Sequence, residues 1–132
     1  MKIDQQLLDN LTEQAKASPR LRMNFDLRNS DKDQSQRMLN AVEPGTLVPI
    51  HRHPKSSETV VVIRGHVQEV FYDALGKEIV ETFDLFPGGE IVAVNVPVGQ
   101  WHTTFSKESG TVIMEIKDGA YEPMGAEDIL SE

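Results

Sequence analysis

A chain of 132 residues with 13 basic and 21 acidic side chains carries a formal net charge of −8 and no cysteine. That field repels phosphate backbones and anionic lipid surfaces, which excludes nucleic acid and membranes as expected partners. Disulfides and thiolate metal ligands are ruled out by composition. With 39% apolar and 26% charged residues, the length fits one domain with a single sizeable core, and no apolar run is long enough to span a bilayer.

The opening MKIDQQLLDN is acidic and amphipathic rather than basic and then apolar. No secretory signal is expected from it, and the cytoplasm is the expected compartment. Residues 3–17 predict a helix, because Ile3, Leu7, Leu8 and Leu11 fall at helical spacing and Ala15 continues the stripe. Ser18-Pro19 ends it. The stripe is narrow, so the helix is expected to pack on something larger.

The rest predicts strands: Arg22–Leu27, Gln36–Val42, Thr46–Ile50, Glu58–Arg64, Val67–Tyr72, Glu78–Leu85, Glu90–Val96, Trp101–Ser106 and Thr111–Lys117. These runs are rich in Val, Ile, Thr and Phe, and turn residues such as Pro44-Gly45, Gly65, Pro87-Gly88-Gly89 and Ser109-Gly110 join them. Short strands at this spacing predict an all-β sandwich or barrel rather than a parallel sheet with crossover helices. Asn29–Gln34 is a polar loop. The end, Tyr121–Glu132, has no strand pattern; a short helix is expected at Ala126–Leu130, and Glu127, Asp128 and Glu132 are expected to form a solvated end. The expected division is a helix over residues 1–20 packed on a barrel of residues 21–120, then a tail of residues 121–132.

The chemistry concentrates in PGTLVPIHRHPKSSETVVVIRG, Pro44 to Gly65. His51 and His53 are one residue apart, so on extended chain both imidazoles point to one side. Glu58 opens the next strand and can reach the same point, and His102 follows the tight turn Pro97–Trp101. Three imidazoles and one carboxylate suit Fe(II), Mn(II), Ni(II), Co(II) or Zn(II), with positions left free for water or substrate. A His-x-His pair alone is as readily a polar loop. The third histidine in a second Gly/Pro-bracketed turn is what favours one divalent metal per chain.

Gly45-x5-His51-x-His53-x4-Glu58-x6-Gly65 resembles the first motif of the cupin superfamily, and Pro97-x-Gly99-x2-His102 resembles the second. Gly89 stands two residues further from Pro97 than usual, and Ser106 replaces a frequent asparagine. The resemblance implies a small antiparallel β-barrel of jelly-roll type, with His51, His53, Glu58 and His102 as metal ligands facing its interior. The stretches SPRLR (18–22), QRMLNAVEPGT (36–46) and EIKDGAYEP (115–123) are similar to the WbuC-type small cupin metalloproteins, which are often encoded among genes for O-antigen or other surface-polysaccharide synthesis. That likeness implies a fold and a metal but no reaction. Where those proteins tend to carry histidines, around Asn24–Arg28, this chain reads NFDLR.

Alternation puts Val60, Val62 and Arg64 on the face of Glu58, and Thr104 and Ser106 on the face of His102. Arg37, Arg64 and Thr104 are the candidate substrate-binding residues. For Arg64 a surface role is favoured, and for Arg37 and Glu115 a solvated face or a structural pair. The alternative is that Arg37 grips an anionic substrate group. Trp101 is expected in the core or an interface, and His66 exposed and unrelated to the metal. No general acid or base is legible. Two function classes follow: a metalloenzyme acting on a small sugar-like or oxygen-rich molecule, as an isomerase or epimerase or, with Fe(II), a dioxygenase, and a non-catalytic binding or sensing module. A second apolar face on the strand at Thr59, Val61 and Ile63 predicts a homodimer.

Overall fold

A computed structural model describes residues 1–130 and builds them into two five-stranded antiparallel sheets with one helix. Helix α1 spans Gln5–Ala17. The Asp4 carboxylate caps its start by accepting from the Leu7 amide at 3.0 Å, and the Ser18 amide donates to the Ala15 carbonyl at its end. The strands are β1 (Arg22–Asp26), β2 (Ser35–Val42), β3 (Ile50–His51), β4 (Glu58–Arg64), β5 (Val67–Tyr72), β6 (Ile79–Leu85), β7 (Ala93–Val96), β8 (His102–Ser106), β9 (Val112–Asp118) and β10 (Ile129–Leu130). One sheet runs β1-β2-β9-β4-β7 and the other β10-β3-β8-β5-β6. This is the jelly-roll cupin fold, with its expected N-terminal helix.

Alternation along the strands makes two apolar layers. Val42, Val60, Val62, Val94, Val96 and Ile113 of the first sheet meet Val67, Phe71 and Leu85 of the second. On the outer face of the first sheet, Leu39, Ala41 and Val112 pack under Leu8, Leu11 and Ala15 of α1. Ile63, expected to face a second copy, belongs to this helix-covered cluster. The α1 stripe is narrow because it covers part of one sheet face and nothing more.

Three predicted elements differ. The expected strand Thr46–Ile50 is non-ladder chain until Ile50, because Pro49 has no N–H and the Thr46 amide turns back to the Glu43 carbonyl. Glu90–Val92 stays outside the β7 ladder, apart from the Val92 carbonyl, which accepts from Val62. The expected helix at Ala126–Leu130 is a single 3-10 turn, Ala126–Asp128, followed by β10, where Ile129 and Leu130 pair with His51 and Ile50. Asp128 is therefore buried, not solvated, and accepts from the Arg52 guanidinium at 2.8 Å. Glu132, the last residue of the expected acidic end, lies outside the described residues.

The turn between β4 and β5 brings two backbone segments into close approach. Gly65 has φ +88°, and a Cβ there would lie 2.6 Å from the Thr111 Cα. Both the left-handed backbone and the missing side chain are required. Gly65→Ala is expected to destabilise by about 1–3 kcal/mol, read as a lower midpoint in thermal or urea unfolding.

Candidate metal centre

Strands β3 and β8 pair only at His51 and His102, which stand directly opposite each other. That register sets their ring centroids 4.3 Å apart. His53 follows where the chain leaves β3, and its carbonyl accepts from the Gly99 amide at 2.9 Å. Its ring lies 5.1 Å from that of His51 and 5.5 Å from that of His102. One nitrogen from each ring lies within 4.8 Å of the others, so the three histidines are positioned to bind a metal. Glu58 opens β4 in the opposite sheet and brings its carboxylate to 3.4 Å from His53 Nε2. The centre therefore sits across the gap between the two sheets.

Hydrogen bonds fix which nitrogens face inward. His51 Nδ1 lies 2.8 Å from the Pro49 carbonyl, which can only accept, so Nδ1 carries the proton and Nε2 keeps its lone pair. His102 Nδ1 lies 2.6 Å from the Glu69 carboxyl, and Thr104 donates to the other oxygen of Glu69 at 2.6 Å. His53 Nε2 and His102 Nε2 are buried with no hydrogen-bond partner. Buried polar nitrogens without partners are costly and rare. Two of them beside a third free lone pair and a carboxylate fit a cation, and this donor set is one that divalent transition metals take.

Burial lowers the histidine pKa values to about 4 at both His51 and His102, with the neighbouring imidazole His102 adding to the effect on His51. Burial raises the Glu58 carboxyl, but the close approach of His53, with His102 and His51 beyond it, leaves it below its ordinary value. Glu69 is fully enclosed, and burial pushes it up to about 8 despite its bond to Thr104. His51 thus keeps its inward lone pair near neutrality, while the carboxyl behind His102 holds a proton that a cation at His102 would displace. Lys117 places its Nζ 3.4 Å from His53 Nδ1 and adds positive charge behind that ring.

A cavity of about 350 Å³ reaches His51, Glu58 and His102 from the side of Arg22, Asn40 and Glu115. A second, of about 480 Å³, reaches His51, His53 and Glu58 past Lys117 and Tyr121.

The candidate substrate residues separate. Thr104 is buried behind the centre and orients Glu69. Arg64 is at the far end of β4 from Glu58, where it is half-buried rather than a free surface residue; it binds the Gly110 carbonyl and Gln5, Asp9 and Thr12 of α1, so it ties the helix to the barrel. Arg37 pairs with Asp33 at 3.2 Å and with the Ser35 carbonyl at 2.7 Å, as the structural alternative predicts, although it also stands on the rim of the larger cavity. Glu115, in contrast, is not on a solvated face. It lines the cavity and accepts from Asn40 at 3.0 Å. Trp101 is core, with Nε1 donating to the Ala74 carbonyl and Arg52 over its ring. His66 is half-buried against Asp84, outside the cluster.

The fold that carries this three-histidine cluster is the cupin jelly roll. Within that fold, the chain belongs to the family described as a domain of unknown function, DUF6016, whose profile matches residues 3–85. No curated protein matches the chain. Among solved structures it is similar to the capsular polysaccharide assembling protein CapF from Staphylococcus aureus (22% identity, TM-score 0.55), covering 69% of this chain and 24% of CapF. It is also similar to KdgF from Halomonas sp. (14% identity, TM-score 0.61, 77% of this chain and 82% of KdgF). A cupin 2 domain-containing protein from Halorhodospira halophila is 20% identical with a TM-score of 0.58, over 74% of this chain and 63% of that one. The chain spans about a quarter of CapF, and at these identities the likeness carries the fold.

The electrostatics predict how metal uptake depends on pH. His51 and His102 offer no proton competition above about pH 5, since their values lie at about 4. Glu69, at about 8, must release its proton when a cation occupies His102 Nε2. Metal affinity is therefore expected to rise by about tenfold per pH unit between 6 and 8. In Glu69→Gln that slope is expected to flatten and affinity to fall by about 10–100-fold. Calorimetric titration with Co(II) at several pH values reads both effects.

Proposed function

We propose that the chain is a cupin metalloenzyme that holds one divalent transition metal through His51, His53, Glu58 and His102 and acts on a small oxygen-rich substrate in the adjoining cavity. The carrying observation is the pair of buried, unpartnered Nε2 atoms on His53 and His102 beside the free face of His51. When bound, the metal supplies Lewis-acid polarisation of a substrate oxygen. The chain supplies the rest. Pro49 and Glu69 hold two imidazoles in the orientation that turns Nε2 inward. Thr104 holds Glu69.

A proton-transfer group distinguishes an enzyme from a binding module, and Glu115 has the placement for it. It lines both cavities, and Asn40 orients its carboxyl. Burial, reinforced by the nearby Glu58, raises it to about 7, so it divides between acid and base forms at neutral pH. This favours turnover over the alternative of a non-catalytic binding or sensing module.

The same reading includes membership of the WbuC-type small cupins and a role in surface-polysaccharide metabolism. The three stretches that resemble those proteins support it, as does the likeness to a capsular polysaccharide assembling protein. A homodimer in the cytoplasm completes the reading. Exposed Ile79, Val80 and Phe105 on the second sheet are the apolar surface it would use, and light scattering on the purified chain is expected to give twice the chain mass.

Elemental analysis of untagged protein is expected to give about one transition metal per chain, with little or none in the His51→Ala/His53→Ala variant and no change in His66→Ala. Stoichiometric metal in the double variant would overturn the ligand set. Iron directs the activity search to dioxygen uptake. Zinc, manganese, cobalt or nickel directs it to isomerisation of sugar-like compounds. With substrate in hand, Glu115→Gln is expected to keep its metal and lose about 10²–10⁴-fold in kcat.

A further inference from the structure

The chain has six arginines, and four of them have a carboxylate partner: Arg28 with Asp26, Arg37 with Asp33, Arg52 with Asp128 and Arg64 with Asp9. The two without an ion pair among the described residues, Arg20 and Arg22, both line the cavity that reaches the histidines. In a protein of net charge −8, partners for surface arginines are plentiful, so two unpaired ones on a single cavity wall are informative.

The strand geometry explains how Arg22 arrives there. Met23 and Phe25 of β1 pack in the cluster under α1, so Arg22, Asn24 and Asp26 point the other way, toward the open cavities on that side of the sheet. Leu21 has a left-handed backbone, φ 57°, just before β1. A non-glycine residue held there is strained, and strain of this kind gathers at functional segments. Burial is the main influence on the Arg22 guanidinium; Arg20 adds to it, and Glu115 acts in the opposite sense from beyond ion-pair distance.

Next to it stands a polar group that lacks a partner. Asn40 is more than nine-tenths buried and lines the same cavity. Its Nδ2 donates to Glu115, and its Oδ1 has no partner. Whichever way round the amide sits, one end stays free, and a hydroxyl can satisfy either an acceptor or a donor. Along the inner face of the sheet, Asn24 pairs with Asn40 and Asn40 with Ile113, whereas Glu58 pairs with Lys117. The asparagine row is thus two pleat repeats from the glutamate row, with Glu115 between them. One such repeat is about 7 Å along the strand.

We infer that the end of the cavity away from the metal is a substrate subsite in which Arg22, backed by Arg20, grips a carboxylate and Asn40 meets a hydroxyl. The substrate class is a hydroxylated carboxylic acid of the sugar-acid type, long enough for its other end to reach the histidine centre. Only that last clause rests on the metalloenzyme reading. The guanidinium fork fits a carboxylate in bidentate fashion. A free phosphate would add a second negative charge beside Glu115 and Glu58, which disfavours it. The same placement puts the middle of such a chain against Glu115.

Calorimetry on the metal-loaded full chain tests this with three probes: D-gluconate, sorbitol (the same carbon chain without the carboxylate) and inorganic phosphate. Gluconate is expected to bind, with sorbitol and phosphate each about tenfold weaker or more. Arg22→Gln is expected to weaken gluconate by about 10–100-fold while leaving sorbitol binding and metal content unchanged. Arg22→Lys keeps the charge but not the fork and is expected to lose less. Equal gluconate affinity in Arg22→Gln, phosphate binding tighter than gluconate, or no gluconate binding by fully metallated protein would each overturn the subsite. The His51→Ala/His53→Ala variant keeps the two readings apart. Gluconate binding that still depends on Arg22 in that metal-free variant would sustain the subsite independently of the metal, whereas wild-type protein that takes up no metal yet binds gluconate through Arg22 would sink the metal reading alone.

Discussion

The contact between His102 and Glu69 holds the histidine centre in place. A small barrel fills its interior with apolar side chains, and β5 follows that rule at Val67 and Phe71 but not at Glu69, which lies between them on the same face and is fully enclosed. A carboxyl in that position is costly unless its oxygens are bonded, and both are: one to His102 Nδ1, the other to Thr104. Because β5 and β8 are adjacent and in register, with Glu69 opposite Thr104 and Phe71 opposite His102, the sheet itself delivers all three groups. The consequence is directional. His102 cannot rotate to use Nδ1 elsewhere, so its buried Nε2 must face the gap between the sheets, where His51, His53 and Glu58 converge. The orphaned nitrogens follow from this one placement.

The strands that the sequence made legible are those whose interior is a pleat with one apolar face. Glu58–Arg64 and Val67–Tyr72 match β4 and β5 residue for residue, and most other strands match within a residue or two. His51, His53 and His102 were legible because their spacing and turns are local features. Glu69 was not, since VQEVFY gives no local sign of which face is the inner one, and an acidic residue in a strand is more often solvated. Glu115 interrupts its strand, and on pattern alone that fits a solvated face or a structural pair. Its true side depends on β2 and β4 flanking β9, a fact of topology. The end of the chain failed for a related reason. Ile129 and Leu130 are too short a run to read as a strand, and they become one only because β3 offers a free edge beside the histidines.

Arginine placement shows the same limit. Arg37 interrupts an apolar strand, yet it closes a local pair with Asp33 four residues away. Arg22 gives no such signal, being the first residue of a strand in a segment dense with polar groups. What distinguishes the two is not the strand pattern but the supply of carboxylates around each, and that depends on contacts far apart in sequence.

The N-terminal segment ties these points together. Helix α1 and β1 add one strand and one covering layer to the first sheet beyond β2. The outer face of β1, through Met23 and Phe25, is buried under the helix, and Arg64 fastens that helix to the end of β4 with bonds to Gln5, Asp9 and Thr12. With its outer face committed, β1 has only its inner face to spend on polar groups, and there it presents Arg22, Asn24 and Asp26 toward the cavity. A residue that never touches the centre, Arg64, thereby helps set the position of the cations that line it. Loosening α1 would let β1 shift against β2, and the first property to change would be the grip on an anionic ligand, before the histidine centre, which is built from β3, β4 and β8.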